Sequence, residues 1–136
     1  MTLATPALAA LALRIAGALI FVAQGRRKLL GPPTAPHGLA NLEGMIRARG
    51  LPRSWRLARL VALTELVGGI ALLVGLGTRV ATAALGVVLV VAIVGFKRQA
   101  GFLGGWDWPF SVLAILVALA LLGAGPWSVD SLLGVP

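Results

Sequence analysis

Four apolar segments, each close to the length of a membrane span, constrain the fold of this chain more than any other feature. They are residues 6–24, 57–76, 79–96 and 109–125. A helix needs about 20 mostly apolar residues to cross the hydrocarbon core of a bilayer. The chain is 59% hydrophobic and only 12% charged, a balance too apolar for an ordinary soluble domain. We therefore predict an all-α membrane protein, a single four-helix transmembrane domain over residues 1–136.

The first connection, from Gly25 to about Arg56, is long and has its own pattern. Prolines exclude a helix over GPPTAP at 31–36, because they fix φ and lack an N–H donor. The next residues place apolar side chains at three- and four-residue spacing, which predicts a short amphipathic helix at the membrane surface. Those side chains are Leu39, Leu42, Met45 and Ile46. A disordered basic loop is the alternative.

The other two connections are shorter. GLGT at 75–78 predicts a tight turn, since glycine adopts positive φ freely. In the third connection, Asp107 and Pro109 resemble the start of a helix. Tryptophan prefers the headgroup level of a bilayer, so we expect three tryptophans to be interfacial anchors. They are Trp106, Trp108 and Trp127.

The basic residues predict the topology. Of twelve Lys and Arg residues, eight lie between Arg26 and Arg59, and loop three adds Lys97 and Arg98. Basic loops stay on the cytoplasmic side, so loops one and three should be cytoplasmic and both termini outside, in the inner membrane. No basic residue precedes the first segment, which favours a retained helix over a signal peptide. The clustered charge indicates contact with lipid headgroups, and no nucleic-acid partner is expected.

The composition also limits redox chemistry. The chain has no cysteine, which excludes disulfides, thiol relays and cysteine-ligated iron–sulfur clusters. His37 is the sole histidine of the sequence, so a bis-histidine haem cannot form within this chain. We expect no metal site and no cofactor encoded by the chain itself, and we interpret His37 as a solvated loop residue.

Two charges fall inside the spans, Arg14 in the first and Glu65 in the second. Each would cost about 2.5–3.5 kcal/mol near the centre of a helix in lipid, so both should face the bundle interior. The depths of the two residues along antiparallel helices differ by only about a few Å. We therefore predict an Arg14–Glu65 pair, either fixing helix register or serving function.

Helical spacing places other residues beside this pair. The first helix should present one polar face towards a quinone or other ligand, together with Glu65. That predicted pocket consists of Arg14, Phe21, Gln24, Lys28 and Glu65. Small residues should allow close helix contacts, here Gly17, Gly68, Gly69, Thr82 and Gly86. The predicted topology puts Arg79 and Asp130 on the same side, where they could pair.

Three stretches together resemble one family. Arg14 followed by GALIFVAQGRRKL, then TELVGGIALLVGLGTR, then GAGPWSVD, resemble in order the signatures of DoxX-family membrane proteins. The matching positions are Arg14, Gly25, Lys28, Glu65, Gly68, Gly69, Arg79 and Asp130. This chain departs from the family at Gln24, where members often have histidine, and at Pro126-Trp127. The resemblance implies a four-helix integral membrane protein and a role as an accessory subunit linking redox enzymes to the membrane.

Three functions follow as hypotheses. The first is a non-catalytic anchor subunit of a quinone-linked redox complex, with other protein subunits as partners and a quinone or lipid pocket. Electrons would then come from a partner. The second is a small transporter or proton pathway, which the charges within the spans allow. The third is a purely structural assembly subunit that docks other helices.

Overall fold

The computed structural model describes residues 4–135, and within that range the chain is helical with no strand. Six α-helices follow one another along the chain. They are α1 (Ala4–Leu30), α2 (Leu39–Ala48), α3 (Ser54–Val74), α4 (Thr78–Ala92), α5 (Asp107–Leu122) and α6 (Val129–Leu132). A π-helical turn (Ile93–Lys97) and a 3₁₀ turn (Arg98–Ala100) extend α4, and a second π-helical turn (Phe102–Trp106) leads into α5.

Four of the helical stretches are long and apolar enough to cross a membrane, as predicted. They are Ala4–Leu30, Ser54–Val74, Thr78–Ala100 and Phe102–Leu122. The structure therefore confirms the all-α fold with four candidate spans. Their outward faces carry large exposed hydrophobic side chains, such as Leu19, Val67 and Leu121. Such surfaces are stable against lipid and not against water.

Two boundaries differ from the sequence prediction. Helix α1 continues to Leu30, six residues past the predicted end, because the arginines, lysine and leucines after Gly25 are good helix formers, and Gly31 with the prolines then ends it. Loop three is mostly helical turn rather than open loop, with Gly101 between its two parts. The predicted helix start at Asp107 is confirmed, and its carboxylate accepts hydrogen bonds from the N–H groups of Gly104 (3.2 Å) and Trp108 (2.9 Å).

The predicted short helix of loop one is confirmed as α2. It buries Ile46 and turns Leu42 and Met45 towards the space between the long helices. Gly50, at φ +73°, then reverses the chain just after it. We call the end of the bundle that contains residues 26–59 and 92–107 the basic end. It includes α2 and the ends of the long helices beside α2. The opposite end, with residues 75–78 and 123–135, is the turn end.

The long helices pack closely where small residues lie between them. A methyl group added at Gly25 would lie 2.5 Å from the backbone nitrogen of Leu66, and one at Gly69 would lie 2.8 Å from that of Val22. Glycine is therefore required at both contacts between α1 and α3. A methyl group added at Gly68 would instead meet the side chain of Leu85 on α4, at 2.9 Å, and one at Gly17 would meet the side chain of Leu72 at 3.3 Å.

The second predicted seam, on α4, is looser. Thr82 is buried, but Gly86 is half-buried, and an added methyl group there would reach only ordinary contact with Leu113 at 3.7 Å. The interior between the four long helices is a single apolar cluster. Its members include Ala18, Phe21, Leu72, Leu85, Leu89, Val112, Leu116 and Leu119.

Candidate functional site

The predicted polar stripe is divided between the two ends of the bundle. Arg14 lies at the turn end and makes no ion pair with Glu65, so the predicted Arg14–Glu65 pair is wrong. Glu65 instead pairs with Lys28 near the basic end. Both charges are buried as predicted, Arg14 at 2% exposure and Glu65 at 6%, but each has a different partner.

The register of α1 against α3 explains the error. Gly69 contacts Val22 directly, so counting four residues along each antiparallel helix puts Glu65 level with Arg26. Arg14 is twelve residues away, or about 18 Å along the helix axis at about 1.5 Å per residue. An arginine side chain cannot cover that distance. The glycine contacts that set this register cannot be located from either sequence segment alone.

Arg14 binds main-chain carbonyls at the turn end. Its guanidinium donates to Leu72 O (2.9 Å) and Leu73 O (2.9 Å), two carbonyls in the last turn of α3. It also donates to Ala124 O (3.0 Å) and Trp127 O (2.7 Å), in the segment after α5. The buried guanidinium of Arg14 therefore connects the C-terminal end of α3 to the segment that follows α5.

Asp130 connects the C-terminal segment at the turn end to the start of α4. Its carboxylate accepts hydrogen bonds from the N–H groups of Gly77 (2.6 Å) and Thr78 (2.9 Å), where α4 begins. No Arg79–Asp130 salt bridge forms within residues 4–135, and Arg79 is exposed, so that predicted pair is also wrong. Burial raises the pKa of Asp130, but the N–H donors of Thr78 and Gly77 and the charge of Arg14 outweigh it, and the pKa lies below its usual value.

The tight turn between α3 and α4 forms as predicted. Gly75 and Gly77 both adopt positive φ, at +72° and +57°. Gly75 also has no room for a side chain, since an added methyl group would lie 2.5 Å from the Ser128 side chain and 2.6 Å from Arg14. Close contacts among Arg14, Gly75 and Ser128 therefore hold the turn end together.

The Lys28–Glu65 ion pair lies beside a cavity of about 340 Å³ at the basic end. Four of the five residues of the predicted pocket line it, and Arg14 does not. The four are Phe21, Gln24, Lys28 and Glu65. Volumes of about 300–1,000 Å³ are typical of small-molecule sites that combine apolar walls with a few polar groups.

The rest of the cavity wall comes from elements that the sequence did not assign to a site. Leu42 and Met45 of α2 cover it, and Leu89 and Phe96 form the far wall. His37 also lines it, at φ +59°, and this residue is exposed, as expected for a solvated loop residue. The apolar face of α2 could have indicated this part of the cavity wall from the sequence. An amphipathic helix that is joined to a long helix by a short loop can fold back over that long helix.

The polar groups of the cavity gather on the α1 side. Lys28 donates to Glu65, and its ammonium has two further protons available. Gln24 accepts a hydrogen bond from Arg27 through its oxygen (2.6 Å), which leaves its amide nitrogen as a donor. Asn41 and His37 add further hydrogen-bonding groups. The cavity can therefore hold a flat apolar molecule whose polar edge faces Lys28 and Glu65.

The tryptophans occupy different environments. Trp106 packs edge-on against Phe102 (4.6 Å between ring centres) and Phe110 (5.9 Å). Trp108 is about half exposed and borders the cavity. The Trp127 side chain is 55% exposed while its carbonyl accepts from Arg14. Their predicted role as interfacial anchors stays a prediction.

Comparison with known proteins agrees with this architecture. The DoxX family model matches residues 9–98, which cover α1 to the extension of α4 and include Arg14, Lys28 and Glu65. A protein of Bacillus subtilis (strain 168) named "Putative oxidoreductase CatD" is 32% identical over 94 residues, 65% of this chain and 69% of that protein. No solved structure matches significantly. The chain is thus a member of the DoxX family of membrane proteins.

Proposed function

We propose that this chain is a membrane subunit of a quinone-linked redox complex and that its basic-end cavity holds the quinone ring. The observation that carries the proposal is the buried Lys28–Glu65 pair facing an apolar cavity of about 340 Å³. Charges within membrane spans are costly, so a charged pair beside a cavity is a candidate functional site. The relative named as an oxidoreductase supports a redox setting.

The residues present fit a quinone. A quinone ring is flat and apolar, with carbonyl oxygens that accept hydrogen bonds at its edge. Phe21, Leu42 and Met45 supply apolar walls, and Lys28 and Gln24 supply donors on one side. When bound, a quinone would supply two-electron and two-proton carriage. The ion pair adds a proton donor and a proton acceptor beside that position.

The chain would act with a partner. It has no cysteine and one histidine, so its own side chains offer no thiolate for an iron–sulfur cluster and no bis-histidine haem site. Electrons would therefore enter from another subunit. In this proposal the chain anchors that subunit to the bilayer and positions the quinone, and it is not catalytic alone.

Purification from native membranes in mild detergent tests the proposal. Wild type should carry a stoichiometric redox partner, identified by mass spectrometry, and extractable quinone. The double variant Lys28→Met/Glu65→Leu removes both charges together and leaves neither unpaired, so it should keep the partner and lose most of the quinone. Arg79→Gln, an exposed cation at the turn end, is the matched control and should keep both.

Two outcomes would overturn the proposal. If wild type is isolated alone with bulk lipid and no quinone, the redox-subunit function is wrong. Proton or solute flux in liposomes that contain only this chain would then favour a transporter. If the double variant keeps as much quinone as wild type, the cavity is not the quinone site.

A further inference from the structure

Within residues 4–135, most arginines of the basic end form no salt bridge with a carboxylate. All Lys and Arg residues except Arg14 and Arg79 lie there. The chain has four acidic residues, and each of their side chains is already bound to another group within residues 4–135. Glu43 pairs with Arg47, Glu65 with Lys28, and the carboxylates of Asp107 and Asp130 accept from backbone N–H groups. The remaining arginines can therefore attract negative charge from outside the chain.

Two of these arginines, Arg49 and Arg98, line a second pocket of about 360 Å³, which shares only Phe96 with the cavity beside Lys28 and Glu65. Gln99 and the apolar residues Val94 and Phe96 complete its wall, and no acidic residue lines it. The polar part of the lining thus consists of two guanidinium groups and one carboxamide. A pocket with this composition favours an anion with several acceptor oxygens.

Arg49 is held in place for such a ligand. Its guanidinium carbon lies 5.0 Å from the centre of the Phe96 ring, a cation–π contact between the end of α2 and the turn that extends α4. This contact limits the rotamers of a long side chain, so less entropy is lost on binding. Guanidinium groups match phosphate oxygens with paired N–H donors. The pocket is therefore suited to a phosphate group.

The surface of α4 next to the pocket is apolar, so a ligand that extends from the pocket along this surface should be apolar too. Val94 lines it, and Val87 and Val91 continue along the same face of α4 towards the middle of the bundle. All three valines are more than half exposed, at 63%, 54% and 60% in chain order, and we call them the valine stripe. We propose that the Arg49–Arg98 pocket binds the phosphate of an anionic phospholipid whose acyl chain lies along the valine stripe.

Native mass spectrometry of delipidated, full-length protein in detergent tests this proposal. Equimolar phosphatidylglycerol and phosphatidylcholine are added, and the bound lipids are counted. Wild type should retain one phosphatidylglycerol in preference to phosphatidylcholine. Arg49→Gln and Arg98→Gln should each weaken that binding at least about tenfold, because each removes a charged donor. Both side chains are exposed, so the variants should fold, which circular dichroism checks.

Arg59→Gln is the matched control. Arg59 is a cation of the same end, stacked on Trp55 (5.4 Å) and outside the pocket, so its loss should leave phosphatidylglycerol binding unchanged. An equal loss in Arg59→Gln would show diffuse attraction and overturn the site. Equal retention of both lipids would overturn it too. Thermal stabilisation by inorganic phosphate as large as that by phosphatidylglycerol would assign the site to a soluble ligand and overturn the lipid proposal.

Discussion

Arg14 and Glu65 are both buried charges in the spans, but they have different kinds of partner. Arg14 donates four hydrogen bonds to carbonyls that belong to two separate segments. Glu65 has a charged partner, Lys28, and faces a cavity. A charge bound entirely by main chain has little left to offer a ligand, whereas an ion pair at a cavity wall does. This difference supports a structural role for Arg14 and makes the Lys28–Glu65 pair the candidate functional group.

Replacing Arg14 should destabilise the fold. Arg14→Gln leaves buried carbonyls without a donor, and because each unsatisfied buried acceptor costs about 1–3 kcal/mol, we expect a total loss of at least about 2 kcal/mol. The free energy of unfolding in mixed micelles measures the effect. Arg79→Gln, which removes an exposed cation from the same end, should change it by less than about 0.5 kcal/mol. Equal stability of the two variants would contradict the structural role of Arg14.

The Lys28–Glu65 pair should behave as a coupled unit. Lys28→Met or Glu65→Leu alone leaves one buried charge without a partner, so each should cost about 3–5 kcal/mol of unfolding free energy. The double variant removes both charges and should cost less than the sum of the two by at least about 1 kcal/mol. A double-mutant cycle in micelles measures this difference. Strict additivity would mean that the two charges do not interact.

Asp130 gives the turn end a dependence on pH. Because its pKa is lower in the folded state, ionised Asp130 stabilises the protein above its unfolded pKa of about 3.9, and that stability is lost as pH falls through the lower folded value. Asp130→Asn should cost about 1–2 kcal/mol near pH 7 and progressively less below about pH 4. Unfolding of both proteins from pH 7 to pH 3 measures this. A constant difference across that range would contradict the assignment.

Among the helices, burial of one face could be predicted from the sequence, but the pairing of residues between helices could not. Glu65, Gly68, Gly69 and Leu72 share a face by their spacing, and all four are buried as expected. The spacing of residues along a helix determines which face each one lies on. It does not determine how far two neighbouring helices are offset along their axes. That offset is set here by the contacts at Gly25 and Gly69, which depend on both helices together. The predicted ion pair failed for this reason.

Glycine substitutions test that account. Gly69→Ala places a methyl group 2.8 Å from a backbone atom of α1, so the helices must separate or slide, and we expect a loss of about 2 kcal/mol or more. Gly86→Ala is the matched control, because its methyl group would meet only Leu113 at 3.7 Å and alanine favours a helix. It should be neutral or slightly stabilising. Unfolding in micelles compares them, and similar losses in both would argue against a register set by glycine contacts.

The bundle as a whole has two unlike ends. The turn end is closed by Arg14 and Asp130, while the basic end contains the cavity beside Lys28 and Glu65 and the Arg49–Arg98 pocket. The four spans followed from hydropathy alone, but the cavity did not. It forms because α2 folds over the bundle and brings Leu42, Met45 and His37 near Glu65. Contacts between a loop helix and the bundle depend on tertiary packing, which the spacing of residues does not encode.

The orientation in the membrane follows from the same asymmetry. With most of its cations at the basic end, the chain should place that end in the cytoplasm. The natural chain has no cysteine, so Thr34→Cys and Ser131→Cys each introduce one unique label site. In intact cells, a membrane-impermeant maleimide should label Ser131→Cys and leave Thr34→Cys unlabelled until the membrane is opened. The opposite pattern would invert the topology.

Photolabelling with a reactive quinone analogue tests the central claim most directly, because it reports where a quinone sits on the protein. The purified protein is irradiated with the analogue, with and without excess unlabelled quinone, and the labelled peptides are sequenced. We predict competed labelling on the cavity segments around Phe21 and Met45, lost in Lys28→Met/Glu65→Leu and kept in Arg79→Gln. Labelling that is spread over the lipid-facing surfaces, or that excess quinone does not displace, would contradict the account.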